Sequence, residues 1–212
     1  MASPESGAPS PDPSDPDSPQ PSSPADASPL WQVLLRDIAI VAAALSLFAA
    51  ADSWHQLSGG LLSGTVALIN GLLVGLGVAA LVHEWGHFAG ARLSGGTAPL
   101  RPFAGFLPIF DFDYANNTRQ QFQAMSIGGN AGHWLVFLVF FFGFPLSSLG
   151  QVALASSAFG FGVFASSIEF PVIRHAAGGL SGLEALSKIP RDFVKRNGRY
   201  GLVAALVAFL VL

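Results

Sequence analysis

Four segments of this chain are apolar and long enough to cross a bilayer, and no other feature limits its architecture as much. The hydrocarbon core takes roughly 17–25 apolar residues of helix, and in lipid the backbone must satisfy its own hydrogen bonds. The segments are Trp31–Trp54, Leu61–Arg92, Met125–Leu149 and Gln151–Phe170. Charged residues make up only 11% of the 212, against about 25% in a soluble domain. The expected fold is therefore an all-α polytopic membrane protein with about four transmembrane helices. A shorter apolar stretch, Leu202–Leu212, reads as an incomplete span or an interfacial helix.

Residues 1–29 differ sharply from the rest. They hold nine prolines, eight serines and five acidic residues, with no base. Such a segment cannot bury enough surface to offset its ordering entropy, and it is expected to be a disordered tail. It has neither the basic start nor the apolar run of a signal peptide. The membrane-embedded domain is then 30–212. The net charge of −3 is dominated by the tail, and the remainder stands at +2. Nothing in it provides a nucleic-acid surface, and the expected partner is the lipid bilayer. Cysteine is absent, so any metal must be held by histidine and carboxylate.

Alternating the four spans puts the tail, the connection 93–127 and the stretch 171–199 on one face of the membrane. All ten Lys and Arg residues fall on that face, and the opposite loops, 55–60 and 145–150, hold none. By the positive-inside rule the basic face, and the N-terminus with it, is cytoplasmic. Gly71 and Gly75 form a G-x-x-x-G pair on the second span, for which close packing within the chain is the expected use.

The connection 93–127 carries Gly95-Gly96, prolines at 99, 102 and 108, and Phe103, Phe106, Phe110 and Phe112. Its Pro and Gly content argues against a span and for an interfacial β-hairpin or re-entrant loop. An open strand edge there would accept an extended peptide. Asp111 and Asp113 share one side of any such strand; they read as solvated loop acids or as contacts to a substrate or metal.

The second span ends in His83-Glu84-Trp85-Gly86-His87. Histidines four apart on a helix lie one above the other, so both imidazoles can ligate one tetrahedral ion. The glutamate between them is placed to act as general base towards water, the mechanics of the H-E-x-x-H zinc hydrolases. Ionisable groups at membrane depth are functional candidates by default. A catalytic zinc site usually takes three protein ligands. His87 and His83 lie five and nine residues before Arg92, and Glu169 lies five before Arg174, so all three stand at a similar depth, roughly 7–13 Å inside the basic boundary. Glu169 is thus the first candidate for third ligand, with pairing to Arg174 as its other reading; His175 and Glu184 come next. His133, at the start of the third span, falls at the same level. With Asn130 it is a candidate for binding substrate or stabilising an oxyanion.

A transmembrane H-E-x-x-H, a basic side and later apolar spans resemble the site-2 protease family of intramembrane zinc metalloproteases. The likeness covers residues 61–190 and is specific at His83–His87. Gly128-Gly129-Asn130-Ala131-Gly132-His133 is similar to the family's glycine-proline-x-x-asparagine element but lacks the proline. The stretch Phe170–Gly182, where the family's aspartate-glycine ligand would fall, contains no aspartate. The resemblance implies a zinc-dependent endopeptidase cutting peptide bonds in or near transmembrane segments, with Glu84 catalytic and His83 and His87 on Zn2+. Two other readings are a membrane zinc protease of the H-E-x-x-H-plus-glutamate type acting on juxtamembrane or soluble peptides, and an inactive membrane adaptor with a vestigial metal site.

Overall fold

A computed structural model describes residues 29–101 and 107–212. Of the 1–29 tail only Pro29 is among them, so the expectation of disorder lies outside the described residues, as do Phe103 and Phe106. The chain forms α1 (Leu30–Ser58), α2 (Leu61–Leu93), α3 (Arg119–Gly143), α4 (Leu149–Ala177), α5 (Gly182–Ser187) and α6 (Phe193–Val211). Helices α1 to α4 are each long and apolar enough to cross a membrane. Many of their large apolar side chains point out of the bundle, Leu47, Leu73 and Phe142 among them, as side chains facing lipid would.

Helix α2 is central and packs against α1, α3 and α4, while α6 packs on α4. Small residues make these approaches close. A Cβ added to Gly71 would lie 2.4 Å from the Gly150 carbonyl oxygen, and one added to Gly75 would lie 2.1 Å from the Ser157 hydroxyl. The G-x-x-x-G pair is therefore consumed inside the chain, between α2 and α4. The α2–α3 crossing is equally tight: Gly86 meets the backbone of Gly128, and Gly90 that of Ala124. Polar groups pin the bundle at its two ends. Asp52 of α1 is buried and accepts from Ser148 Oγ (2.6 Å), Gln56 Nε2 (2.7 Å) and Gln151 Nε2 (3.2 Å), so it ties α1 to the start of α4. At the other end buried Asp37 accepts from Trp85 Nε1 at 2.8 Å, which ties α1 to the H-E-x-x-H turn.

Several helix boundaries differ from those expected. Helix α3 starts at Arg119, because Thr118 and Gln121 form a capping box. It ends at Gly143, since Pro145 forces Phe144 into an extended conformation (φ −115°, ψ 147°). Helix α4 runs through Pro171 to Ala177; the proline removes one amide donor without ending the helix. Helix α6 begins nine residues before Leu202 and runs antiparallel to α4, with Asn197 Nδ2 donating to Ser167 Oγ (2.9 Å) and Gly201 set against Gly160.

The structure does not support the expected interfacial β-hairpin or re-entrant loop. Among the described residues there is no strand, only a single antiparallel bridge between Leu100 and Phe110. Three backbone bonds run between the two arms: Arg101 N to Ile109 O (2.9 Å), Asp111 N to Pro99 O (2.9 Å) and Asp113 N to Thr97 O (3.2 Å). Two of the reciprocal bonds that would complete a ladder are lost for separate reasons: Pro99 has no N–H to give, and the Thr97 amide donates to Asn117 Oδ1 (2.7 Å). Half a ladder remains, and it packs over the end of α2. Its acids are already engaged: Asp111 pairs with Arg101 (2.6 Å), and Asp113 closes a turn over Ala115 and Asn116.

Candidate metal centre

Helical spacing brings three elements to one point. His83 and His87 share a face of α2; Ser126, Asn130 and His133 share a face of α3; Ser166 and Glu169 share a face of α4. His83 Nε2 and His87 Nε2 lie 3.1 Å apart. Glu169 Oε1 lies 2.8 Å from His87 Nε2 and 3.3 Å from His83 Nε2. Ligands 2.0–2.1 Å from a tetrahedral ion are separated by about 3.3 Å, so these three atoms have nearly the dimensions of one face of a zinc tetrahedron. Among the described residues this is the group of histidine and acidic side chains able to hold a metal.

The imidazole tautomers agree with that use. His87 Nδ1 lies 2.9 Å from the Met125 carbonyl, which can only accept, so Nδ1 carries the proton and Nε2 keeps its lone pair for the centre. The His87 ring lies where a side chain at 129 would be: a Cβ on Gly129 would come within 2.3 Å of it. Glu84 lines a cavity of about 520 Å3 together with His87 and Glu169. Phe110, Phe112 and Tyr114 of the half-ladder and Phe122 of α3 form much of its remaining wall.

The other candidates are placed as follows. Glu169 turns to the histidines and to Asn130, whose Nδ2 donates to its Oε2; the Glu169–Arg174 ion pair is not formed. His133 is fully buried, with Nδ1 3.0 Å from His83 Nδ1 and Nε2 3.2 Å from Ser166 Oγ. His175 is exposed and lines a separate small cavity of about 100 Å3 with Lys188 and Arg196. Glu184 is exposed as well, and its carboxylate caps α5 through Ser181. Sequence reasoning missed Ser166 and the Met125 carbonyl. No local signal singles out Ser166 among the serines of α4, and a main-chain acceptor leaves no trace in side-chain identity.

Comparison with family models, curated proteins and solved structures found no match, so the functional reading rests on these residues.

Proposed function

We propose that the chain is a zinc-dependent intramembrane endopeptidase with His83, His87 and Glu169 as metal ligands and Glu84 as general base. The reading rests on one observation: a carboxylate 82 positions beyond His87 meets both histidines of an H-E-x-x-H at ligand–ligand distances. Zinc held there would supply Lewis acidity, lowering the pKa of water and polarising a peptide carbonyl. Glu84, which lines the same cavity as His87 and Glu169, takes a proton from water as the water oxygen adds to the carbonyl carbon. When the C–N bond breaks, the same carboxylic acid returns that proton to the leaving nitrogen. Water enters from the basic face, which the charge distribution makes cytoplasmic.

The substrate class is a transmembrane segment of another protein, unwound near the cavity. A second reading is favoured by the donor set and the walls. Two histidines and a glutamate also serve zinc peptidases acting on soluble peptides, and the connection between α2 and α3 supplies part of the cavity wall, including Phe110, Phe112 and Tyr114, so juxtamembrane peptides are the alternative substrates. The test is zinc stoichiometry on the purified full chain, together with cleavage of labelled single-span peptides in vesicles. One zinc per chain is expected, with cleavage abolished in Glu84→Gln but zinc retained. Wild type without stoichiometric zinc would sink the proposal. Zinc binding without cleavage of any peptide would support the adaptor reading instead, and cut sites lying only outside the span would favour the second.

A further inference from the structure

Asn130, His133 and Ser166 are polar, buried and committed to one another. We propose that they are positioning residues: a closed hydrogen-bond circuit from His83 to Glu169 that selects which nitrogen and which oxygen face the metal. This rests on the metal-site reading above.

One assignment of protons satisfies the hydrogen bonds that link His83, His133, Ser166, Asn130 and Glu169 and leaves His83 Nε2 and Glu169 Oε1 with lone pairs for the metal. His83 Nε2 faces His87 and Glu169, so to ligate it must carry its proton on Nδ1, where it donates to His133 Nδ1 at 3.0 Å. His133 then has its own proton on Nε2 and donates to Ser166 Oγ at 3.2 Å. Ser166 Oγ also accepts from Trp134 Nε1 at 3.0 Å. With both lone pairs occupied, its hydroxyl must donate, and the acceptor is Asn130 Oδ1 at 2.8 Å. That fixes the amide: Nδ2 points the other way, giving one hydrogen to the Ser126 carbonyl (3.2 Å) and the other to Glu169 Oε2. Glu169 Oε1 is left for the metal. The circuit starts on one ligand and ends on another, with each donor meeting one acceptor.

The reverse assignment fails. If His133 donated to His83, the His83 Nε2 would carry the proton and could not ligate. Ser166 would then give its hydroxyl to His133, and the Asn130 amide would have to turn over. Its Oδ1 would face the Ser126 carbonyl and a carboxylate oxygen, three acceptors without a proton. The circuit also reassigns two residues expected to contact substrate. In this arrangement the Nε2–H of His133 and both Nδ2 hydrogens of Asn130 are already used, so neither has a donor for an oxyanion.

The test uses the full chain in micelles, with Zn2+ affinity read by chelator competition. His133→Phe keeps the ring's bulk but supplies no acceptor or donor. His133→Gln restores both, an oxygen for His83 Nδ1–H and an N–H for Ser166. We expect His133→Phe and Ser166→Ala each to weaken zinc binding by about 10–100-fold. His133→Gln should recover most of that loss. Combining His133→Phe with Ser166→Ala should be little worse than either change alone, since both cut the same circuit. A merely structural role would lower the metal-free unfolding midpoint and would not be rescued by Gln. Wild-type affinity in His133→Phe overturns the inference while leaving the protease proposal standing. Should the variants not fold, 15N spectra of wild type decide: the zinc-loaded chain should show His133 as the Nε2–H tautomer and His83 as Nδ1–H, and the opposite pair refutes the circuit. Absence of zinc binding refutes the inference together with the protease proposal, whereas zinc binding and cleavage with the opposite tautomers refute the circuit alone.

Discussion

Two glycines of α2 make a matched pair for testing how the site is held. A Cβ at Gly86 would sit 2.3 Å from the Gly128 carbonyl oxygen and 2.9 Å from its carbonyl carbon. A carbon–oxygen contact is ordinarily about 3.3 Å at its closest, so Gly86→Ala forces α2 and α3 apart by about 1 Å at the H-E-x-x-H turn. The obstacle is backbone, which cannot rotate away as a side chain could. Overpacking of this kind costs about 1–3 kcal/mol, and a rigid receiving surface puts it at the upper end. Gly77 lies on the same helix with nothing within 4 Å of its Cβ position, so Gly77→Ala carries only the helix-propensity gain, up to about 1 kcal/mol. That gain is common to both substitutions and cancels when they are compared. The expected difference is therefore about 1–3 kcal/mol, read as the shift in unfolding midpoint on adding SDS to mixed micelles. Metal ligands tolerate displacements of only about 0.2 Å, so Gly86→Ala should also lose at least about tenfold in zinc affinity. Two alanine variants matching within about 0.5 kcal/mol, both with wild-type affinity, would refute the close-crossing argument.

Other outcomes follow from particular contacts. Replacing Glu84 with Gln should reduce cleavage by about 10²–10⁴-fold while zinc affinity stays near wild type; parallel loss of both would place Glu84 among the ligands. Asp52→Ala strands the Ser148, Gln56 and Gln151 donors and should cost about 1–3 kcal/mol in the same SDS titration; a midpoint within error of wild type would count against Asp52 as the α1–α4 tie. Saturating zinc should raise the unfolding free energy by about 2.7 kcal/mol at a hundred times its dissociation constant, an increment that EDTA removes and that His87→Ala should lack. The turn at Asp113 gives a pH dependence. Hydrogen bonds from the Asn116 side chain and amide, and from the Ala115 amide, hold its carboxyl below the ordinary 3.8. A lowered folded pKa means that the carboxylate's contribution is complete above that value and fades as pH falls through the folded one. Proteolysis of the 107–117 connection should therefore accelerate only below about pH 4, and in Asp113→Asn it should already be fast at neutral pH.

The parts of the fold legible in the sequence are those set by local composition. Runs of apolar residues mark α1 to α4, because only a helix of that length satisfies its backbone in lipid. Glu169 was reachable by counting residues back from Arg174, since rise per residue converts sequence distance to depth. The H-E-x-x-H pair declares itself because both histidines come from one helix. What escaped depends on contacts between helices. Pro171 looks like a stop, yet packing against α6 and the metal-site face carries α4 six residues past it. The connection after α2 has hairpin composition, but its ladder is half formed because Pro99 has no amide hydrogen and Thr97 gives its amide to Asn117. His175 looked as eligible as Glu169 by residue type. It lies six positions further along α4, about 9 Å by rise, on the exposed end.

Gly128-Gly129-Asn130-Ala131-Gly132-His133 is best understood as two interleaved patterns. Gly128 and Gly132 bring the α3 backbone against Gly86 and Val82, and Gly129 leaves room for the His87 ring. Asn130 and His133, three apart, then reach Glu169 and His83 from the same face. Neither pattern works without the other. With bulkier residues at 128, 129 and 132, α3 would stand off and the two polar side chains would fall short of His83 and Glu169. With apolar residues at 130 and 133, the crossing would form but leave part-buried His83 Nδ1 and Glu169 Oε2 without those partners, each unmet group costing about 1–3 kcal/mol. The glycines set a distance, and the distance lets two side chains hold His83 and Glu169 in one orientation.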